Sequence, residues 1–263
     1  MTLIIGIKCK DGIVMGSDGA ATLGTMGQRT IVQPIKKLEI ISKSIILGVS
    51  GPIGIGQIFN GVIKNLWDKN KFHDKKESYE AMEFLRDSLW EHVSPEFQNA
   101  SIAKKAIGNI ALTSAICSTL IAIPISKKIR LFQFNQQCSP EEATENLPFV
   151  SIGSGQQIAD PFLAFLRWIF WRNELPSLED GILTVLWTLQ HAIRTNPGGV
   201  SDPKQIITIK KENNKYKIYE FQEKELQEHS EEIYDIEKYL SDYPLKLKGD
   251  INSKEKIPDF QIK

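Results

Sequence analysis

Cysteine is scarce in this 263-residue chain: Cys9, Cys117 and Cys138 are odd in number, far apart and without a Cys-x-x-Cys spacing. That excludes a disulfide framework and points to reduced thiols in a cytosolic protein. The four histidines, His73, His92, His191 and His229, lie far from one another and from the cysteines, so no zinc site is expected. Charge of one sign is not in excess either, with 32 Lys plus Arg against 32 Asp plus Glu, and bulk attraction to nucleic acid or an anionic membrane is not expected. The apolar runs from Ile110 to Ile125 and from Pro161 to Trp171 fall short of the roughly 20 residues a spanning helix needs, which makes them buried core. Met1-Thr2-Leu3-Ile4-Ile5-Gly6 lacks the basic segment and apolar run of a signal peptide. Gly54-x-Gly56 is followed by Phe59 where a dinucleotide fingerprint has its third glycine, and no Walker sequence occurs. No cofactor is therefore expected.

Apolar residues make up 41% of the chain, enough for a full core. Leu3 to Cys9 and Ile13 to Ser17 read as strands around a Lys10-Asp11-Gly12 turn, and Leu38 to Ile41 and Ser44 to Ser50 as a second hairpin around Ser42-Lys43. Helices are expected over Ile55 to Asp68 and Ser78 to His92, where apolar residues recur at three- and four-residue steps. Strands follow over Asn109 to Ile123 and Lys128 to Phe134. Asp160-Pro161 reads as a helix start, opening a helix to Trp171, and another runs from Leu178 to Arg194. A final hairpin joins Ile206 to Lys211 with Lys215 to Phe221 around Glu212-Asn213-Asn214. Segregated runs of strands and helices favour an α+β fold of two stacked antiparallel sheets between helical layers. The core domain is expected to span residues 1–221, with residues 222–263 a charged helix and tail that is an appendage rather than core.

Initiator methionine is usually removed when a small residue follows, which would leave Thr2 with a free amine. A terminal amine with a pKa of about 8 can take the proton of its own residue's hydroxyl, making one residue both nucleophile and base. Downstream lie Gly16-Ser17-Asp18-Gly19-Ala20-Ala21-Thr22-Leu23-Gly24, then Ile35-Lys36-Lys37-Leu38, then Leu47-Gly48-Val49-Ser50-Gly51. This ordered series resembles the proteasome β-subunit family, most closely its bacterial two-tier branch, the ATP-dependent heat-shock peptidase.

The resemblance runs from about Thr2 to Phe221. It implies a four-layer αββα sandwich, the fold of N-terminal-nucleophile (Ntn) hydrolases. It also implies a threonine endopeptidase in a homo-oligomeric ring in the cytoplasm, with peptide or unfolded protein as substrate and an ATP-dependent unfoldase as partner. Thr2 matches the nucleophile, Asp18 the acid, Lys37 the lysine that keeps the amine neutral, and Gly51 the oxyanion donor; Lys36 is equally eligible by position. Ser154 in Gly153-Ser154-Gly155 matches the serine that bonds the amine. Ala21, Thr22, Ile35, Val49 and Ile53 match substrate-binding positions beside the nucleophile, and the apolar Ala21, Ile35, Val49 and Ile53 suggest a preference for apolar side chains before the cut. Two departures stand out. Pro52 replaces a usual glycine, and the Asp-x-x-Ser before the family's Gly-Gly is replaced by Arg194, Thr195, Asn196 and Pro197. They leave room for a catalytically silent structural subunit, or for an amidase acting on small molecules.

Overall fold

The computed structural model describes residues 2–25, 28–172, 174–196 and 199–247, with side chains described except at 22–32, 114 and 245–247. Alternation in the first strand sets the layers. β1 (Ile4–Lys8) pairs antiparallel with β2 (Gly12–Ser17), Ile4 lying opposite Ser17. Leu3, Ile5 and Ile7 face one way and Ile4 the other, the period of two that a pleated strand imposes. Burying each such side chain contributes about 1.5–3 kcal/mol, so a one-residue slip, which would exchange the two faces, is strongly disfavoured.

A separate hairpin, β3 (Ala20–Thr25) and β4 (Gln28–Pro34), follows, then β5 (Leu38–Ile41) and β6 (Ile45–Ser50). Next come α1 (Ile53–Asp68), α2 (Ser78–Ile107), β7 (Ser118–Ile125), β8 (Lys128–Phe134), β9 (Pro140–Glu142) and β10 (Phe149–Ile152). The chain continues through α3 (Gln156–Leu166), α4 (Leu178–Thr195), β11 (Gln205–Glu212), β12 (Lys215–Glu220) and α5 (Glu223–Leu247). One sheet has the order β10-β1-β2-β11-β12 and the other β5-β6-β7-β8-β9.

Three apolar clusters show the stacking. Ile4, Ile13, Met15 and Ile207 meet Leu38, Ile46, Leu120 and Leu131 between the sheets. Ile5, Ile7 and Val14 pack against Leu163, Val185 and Leu189 of α3 and α4, and Ile45, Leu47 and Ile121 against Phe59, Leu85 and Leu89 of α1 and α2. The result is the αββα sandwich that strand order and resemblance both implied. Among the described residues no helix is long and apolar enough to cross a membrane.

Several boundaries differ from expectation for local reasons. The helix expected to stop at His92 runs through Pro95 to Ile107, burying Val93 and Ala100, and ends where Gly108 takes φ 72°. Residues 108–114 then form a 3-10 turn, so the strand expected from Asn109 begins only at Ser118. Asp160 does not start its helix. Its carboxylate, on the second turn of α3, accepts hydrogen bonds from Ser151 Oγ (2.5 Å) and Gln156 Nε2 (3.0 Å). Ser177 does cap α4, in a capping box with Asp180. The charged C-terminal helix is not a mere appendage: Leu226 and Ile233 of α5 are buried in the same cluster as Val185 and Leu189 of α4.

Candidate active site

The site forms where β1 begins. Thr2, half-buried, donates its N–H to Ser154 Oγ at 3.2 Å, and its carbonyl accepts from the Gly155 N–H at 3.1 Å. The tight loop between β10 and α3 that makes both bonds depends on Gly153, whose φ is 97°. A Cβ there would lie 2.2 Å from the Thr2 carbonyl oxygen, so no other residue fits. Asp160 fixes this loop from behind through Ser151, before it, and Gln156, after it.

Asp18, fully buried just after β2, accepts four hydrogen bonds. Lys37 Nζ (2.6 Å) and the Leu3 N–H (2.8 Å) reach Oδ1, while the Ala20 N–H (3.3 Å) and the Ser201 N–H (3.5 Å) reach Oδ2. One carboxylate thus ties the residue after Thr2 to the Lys37 ammonium. Burial pulls the Lys37 pKa below the ordinary lysine value, and the attraction and hydrogen bond of Asp18 oppose that only in part. Lys36 points away: its Nζ lies 2.7 Å from Glu220 Oε1 and its side chain is 73% exposed, against 4% for Lys37. Adjacent residues before a strand face opposite ways, which separates the two lysines.

Lys37 is held by a residue that sequence reading missed. Gln205, buried on β11, donates Nε2 to the Leu38 carbonyl (3.0 Å) and accepts the Leu38 N–H at Oε1 (3.0 Å). Its Nε2 also reaches Glu220 Oε1 at 3.0 Å. The residue next to Lys37 is therefore clamped through both its backbone groups.

Thr2, Lys37 and Gly51 line one cleft of about 210 Å³. Gly51 has φ 149°, and a Cβ on it would lie 2.7 Å from the Ile116 carbonyl oxygen, so a side chain cannot be placed there without moving backbone. Ala21, Ile35, Val49 and Ile53 line the same cleft, as do Glu39 and Gln57, which sequence reading passed over. The wall is therefore not purely apolar. Glu39 accepts a hydrogen bond from the Asn60 side-chain amide. Thr22 belongs to β3, but its side chain, like all of Met1, lies outside the described residues.

Other chemistries find little here. The cysteines are free and buried, and burial raises the thiol pKa of Cys117 to about 12 and that of Cys138 to about 11, so neither supplies a thiolate at neutral pH. Burial also raises that of Cys9. No histidine lines the cleft, and no group of three metal-ligating side chains occurs among the described residues. Where the Asp-x-x-Ser acid would stand, Arg194 Nη1 lies 2.9 Å from Glu237 Oε2 of α5, and Glu237 also accepts from Trp187 Nε1 at 2.8 Å. Pro197 and Gly198 lie outside the described residues.

No curated protein sequence matches the chain. Similar solved structures include Anbu, the ancestral β-subunit, from Yersinia bercovieri, with 15% identity, TM-score 0.66, and coverage of 97% of this chain and all of that one (100%). Anbu from Hyphomicrobium sp. strain MC1 gives 16% identity and TM-score 0.63 over 97% of this chain and 100% of the other. The helical assembly of the Anbu complex from Pseudomonas aeruginosa gives 18%, 0.62, and 97% and 98%. At these identities the likeness speaks for the fold, and these neighbours carry the name of an ancestral β-subunit rather than that of the two-tier peptidase. The proteasome subunit model matches residues 2–201, and with the sandwich described above it establishes that the chain belongs to the proteasome subunit family.

Proposed function

We propose that the protein is a threonine peptidase that becomes active when removal of Met1 frees the amine of Thr2. The amine takes the proton of the Thr2 hydroxyl, directly or through a water, and the oxygen attacks a peptide carbonyl. The Gly51 N–H stabilises the oxyanion, and the Lys37 ammonium, held by Asp18, keeps the Thr2 amine neutral and lowers the cost of forming an alkoxide. The amine passes its proton to the departing amine of the substrate as the carbon–nitrogen bond breaks. Water then attacks the ester on Thr2, giving a proton to the amine, and the amine returns that proton to the Thr2 oxygen as the ester bond breaks and the acid is released. Ser154 orients the amine throughout.

One observation carries the reading: a single buried carboxylate joins Lys37 Nζ to the Leu3 N–H at the cleft where Thr2 stands. Ala21, Thr22, Ile35, Val49 and Ile53 are assigned to substrate contact. Self-association, as in the helical assembly of the Pseudomonas aeruginosa Anbu complex, is part of the proposal, as are a cytoplasmic location and an unfoldase partner.

Intact mass tests the first requirement, since Met1 must be absent from the active protein. Fluorogenic peptides test the second, because turnover must vanish in Thr2→Ala. Equal inertness of wild type, shown to lack Met1, and Thr2→Ala would favour a silent subunit, a reading supported by the pairing of Arg194 with Glu237 in place of the usual acid.

A further inference from the structure

Among the described residues the charges in and just behind the cleft are not balanced, with three acids, Asp18, Glu220 and Glu39, against two lysines. Lys37 is matched by Asp18 at 2.6 Å, and Lys36 by Glu220 at 2.7 Å, with Glu220 itself held by Gln205. Glu39 also lines the cleft, and among the described residues it has a neutral amide, that of Asn60, and no cation as partner. Each lysine at the cleft is thus offset by an acid, which leaves one carboxylate over.

Its placement follows from the fold. Along β5 the buried Leu38 faces the sheet-to-sheet core, so the next residue turns towards α1. Asn60, seven positions into α1 from Ile53, meets it there. That is about 10 Å along the axis from the helix start, beyond the first turn in which the positive end of the helix dipole acts. The dipole thus favours an oxyanion near Gly51 and Pro52 without cancelling Glu39. Gln57, one turn before Asn60, adds a neutral amide whose oxygen can accept a hydrogen bond.

The remaining wall is small or branched and apolar: Ala20, Ala21, Ile35, Val49. A side chain with an apolar stem and a cationic head satisfies both parts, the methylenes lying along the wall and the head reaching the carboxylate. We propose, on the reading of this cleft as a peptidase site, that the protein selects arginine or lysine immediately before the cut, and that Glu39 is the residue that selects it. This revises the apolar preference suggested by sequence resemblance.

The test compares peptides alike except for arginine, leucine or glutamate before the fluorophore. The arginine peptide should give the highest kcat/KM at low salt, and its advantage should shrink as salt is raised. In Glu39→Gln the arginine-to-leucine ratio should fall about tenfold, equivalent to about 1.4 kcal/mol. Glu39→Lys should move the preference towards glutamate. A ratio that Glu39→Gln leaves within twofold of wild type overturns the proposal.

Binding separates this from the threonine mechanism. Thr2→Ala protein, which cannot cleave, should hold the fluorescent arginine peptide more tightly than the leucine peptide by anisotropy, and Thr2→Ala with Glu39→Gln should lose the difference. Binding preference without any turnover in wild type shown to lack Met1 would sink the peptidase reading and keep Glu39 as the group that selects arginine or lysine in this cleft. Thr2-dependent turnover indifferent to arginine would do the reverse. Equal binding of both peptides, or binding of neither, counts against the inference.

Discussion

Replacing Lys37 by methionine keeps an unbranched side chain one atom shorter and removes its charge, leaving Asp18 as a buried carboxylate without its cation. Neither member of the pair has water to fall back on, with side chains 4% and 0% exposed and a separation of 2.6 Å. Breaking such a pair from one side costs about 3–5 kcal/mol. The backbone N–H groups of Leu3, Ala20 and Ser201 still solvate the carboxylate, which places the expected loss near the lower end, about 3 kcal/mol. For a chain of this size that is about 6–12 °C in Tm. Calorimetry at one fixed protein concentration measures it, since self-association would otherwise shift the midpoint. The paired variant Asp18→Asn with Lys37→Met removes the stranded charge as well and should recover part of the loss, because the single amide oxygen can replace only one of the two that accept the Leu3, Ala20 and Ser201 N–H groups; peptide turnover stays abolished in both. A single variant within 2 °C of wild type (about 1 kcal/mol or less) would refute the reasoning, and so would a double variant less stable than the single.

Lys37 also predicts a pH dependence. Its folded pKa lies below the unfolded value of 10.5, so in the alkaline range just under 10.5 the unfolded chain binds more protons and this group's contribution to stability rises with pH. Activity that needs the ammonium should fall over the same range; urea midpoints and turnover followed together in wild type and Lys37→Met would expose any other sign. Gly51→Ala forces a methyl to within 2.7 Å of the Ile116 carbonyl oxygen and displaces the N–H assigned to the oxyanion, so turnover should drop about 100-fold with circular dichroism unchanged. Gln205→Leu strips both backbone groups of Leu38 of their partner, at about 1–3 kcal/mol for each group left unsatisfied, and denaturant unfolding should show it. Ile233→Ala should cost about 2–4 kcal/mol if α5 belongs to the core, and almost nothing if it is an appendage.

Much of the sandwich was legible because its strands obey one rule throughout. Ile4 against Ile5, and Ile46 against Leu47, assign faces by alternation alone, and Lys10-Asp11-Gly12 and Glu212-Asn213-Asn214 mark tight turns. β3 and β4 were not legible, since Ala20–Thr25 is small and glycine-bearing and neither strand joins the two large sheets. Pro95 hid the second half of α2, whose apolar face continues at Val93 and Ala100. Asp160-Pro161 carries the signature of a helix start, yet Asp160 serves Ser151 across the loop, a partner no local pattern reveals. In α5, Leu226 and Ile233 stand seven residues apart on one face amid glutamates, a sparse apolar stripe that composition averages away.

The site divides the same way. Thr2, Asp18, Lys37 and Gly51 could be named as candidates because an ordered motif series carries them, and Ser154 because Gly153-Ser154-Gly155 matches the family serine loop. Whether Lys36 or Lys37 meets Asp18 needed the strand's direction, which two adjacent identical letters cannot encode. Gln205 could not be found at all, for it acts across 167 positions through the backbone of Leu38. Glu39 was hidden for a related reason, its significance resting on a charge count around the cleft rather than on its neighbours in the chain.

The hydrogen bond from the Thr2 nitrogen to Ser154 is made while that nitrogen still belongs to a peptide bond. A peptide nitrogen has its lone pair spread into the carbonyl and cannot act as a base, whatever its position. Under the proposed mechanism, maturation then has almost no geometry to create: loss of one residue turns an inert nitrogen into a basic one already held in place. Such a site is dormant for electronic rather than spatial reasons, and any residue or affinity tag left ahead of Thr2 would keep it dormant without disturbing a single neighbouring side chain.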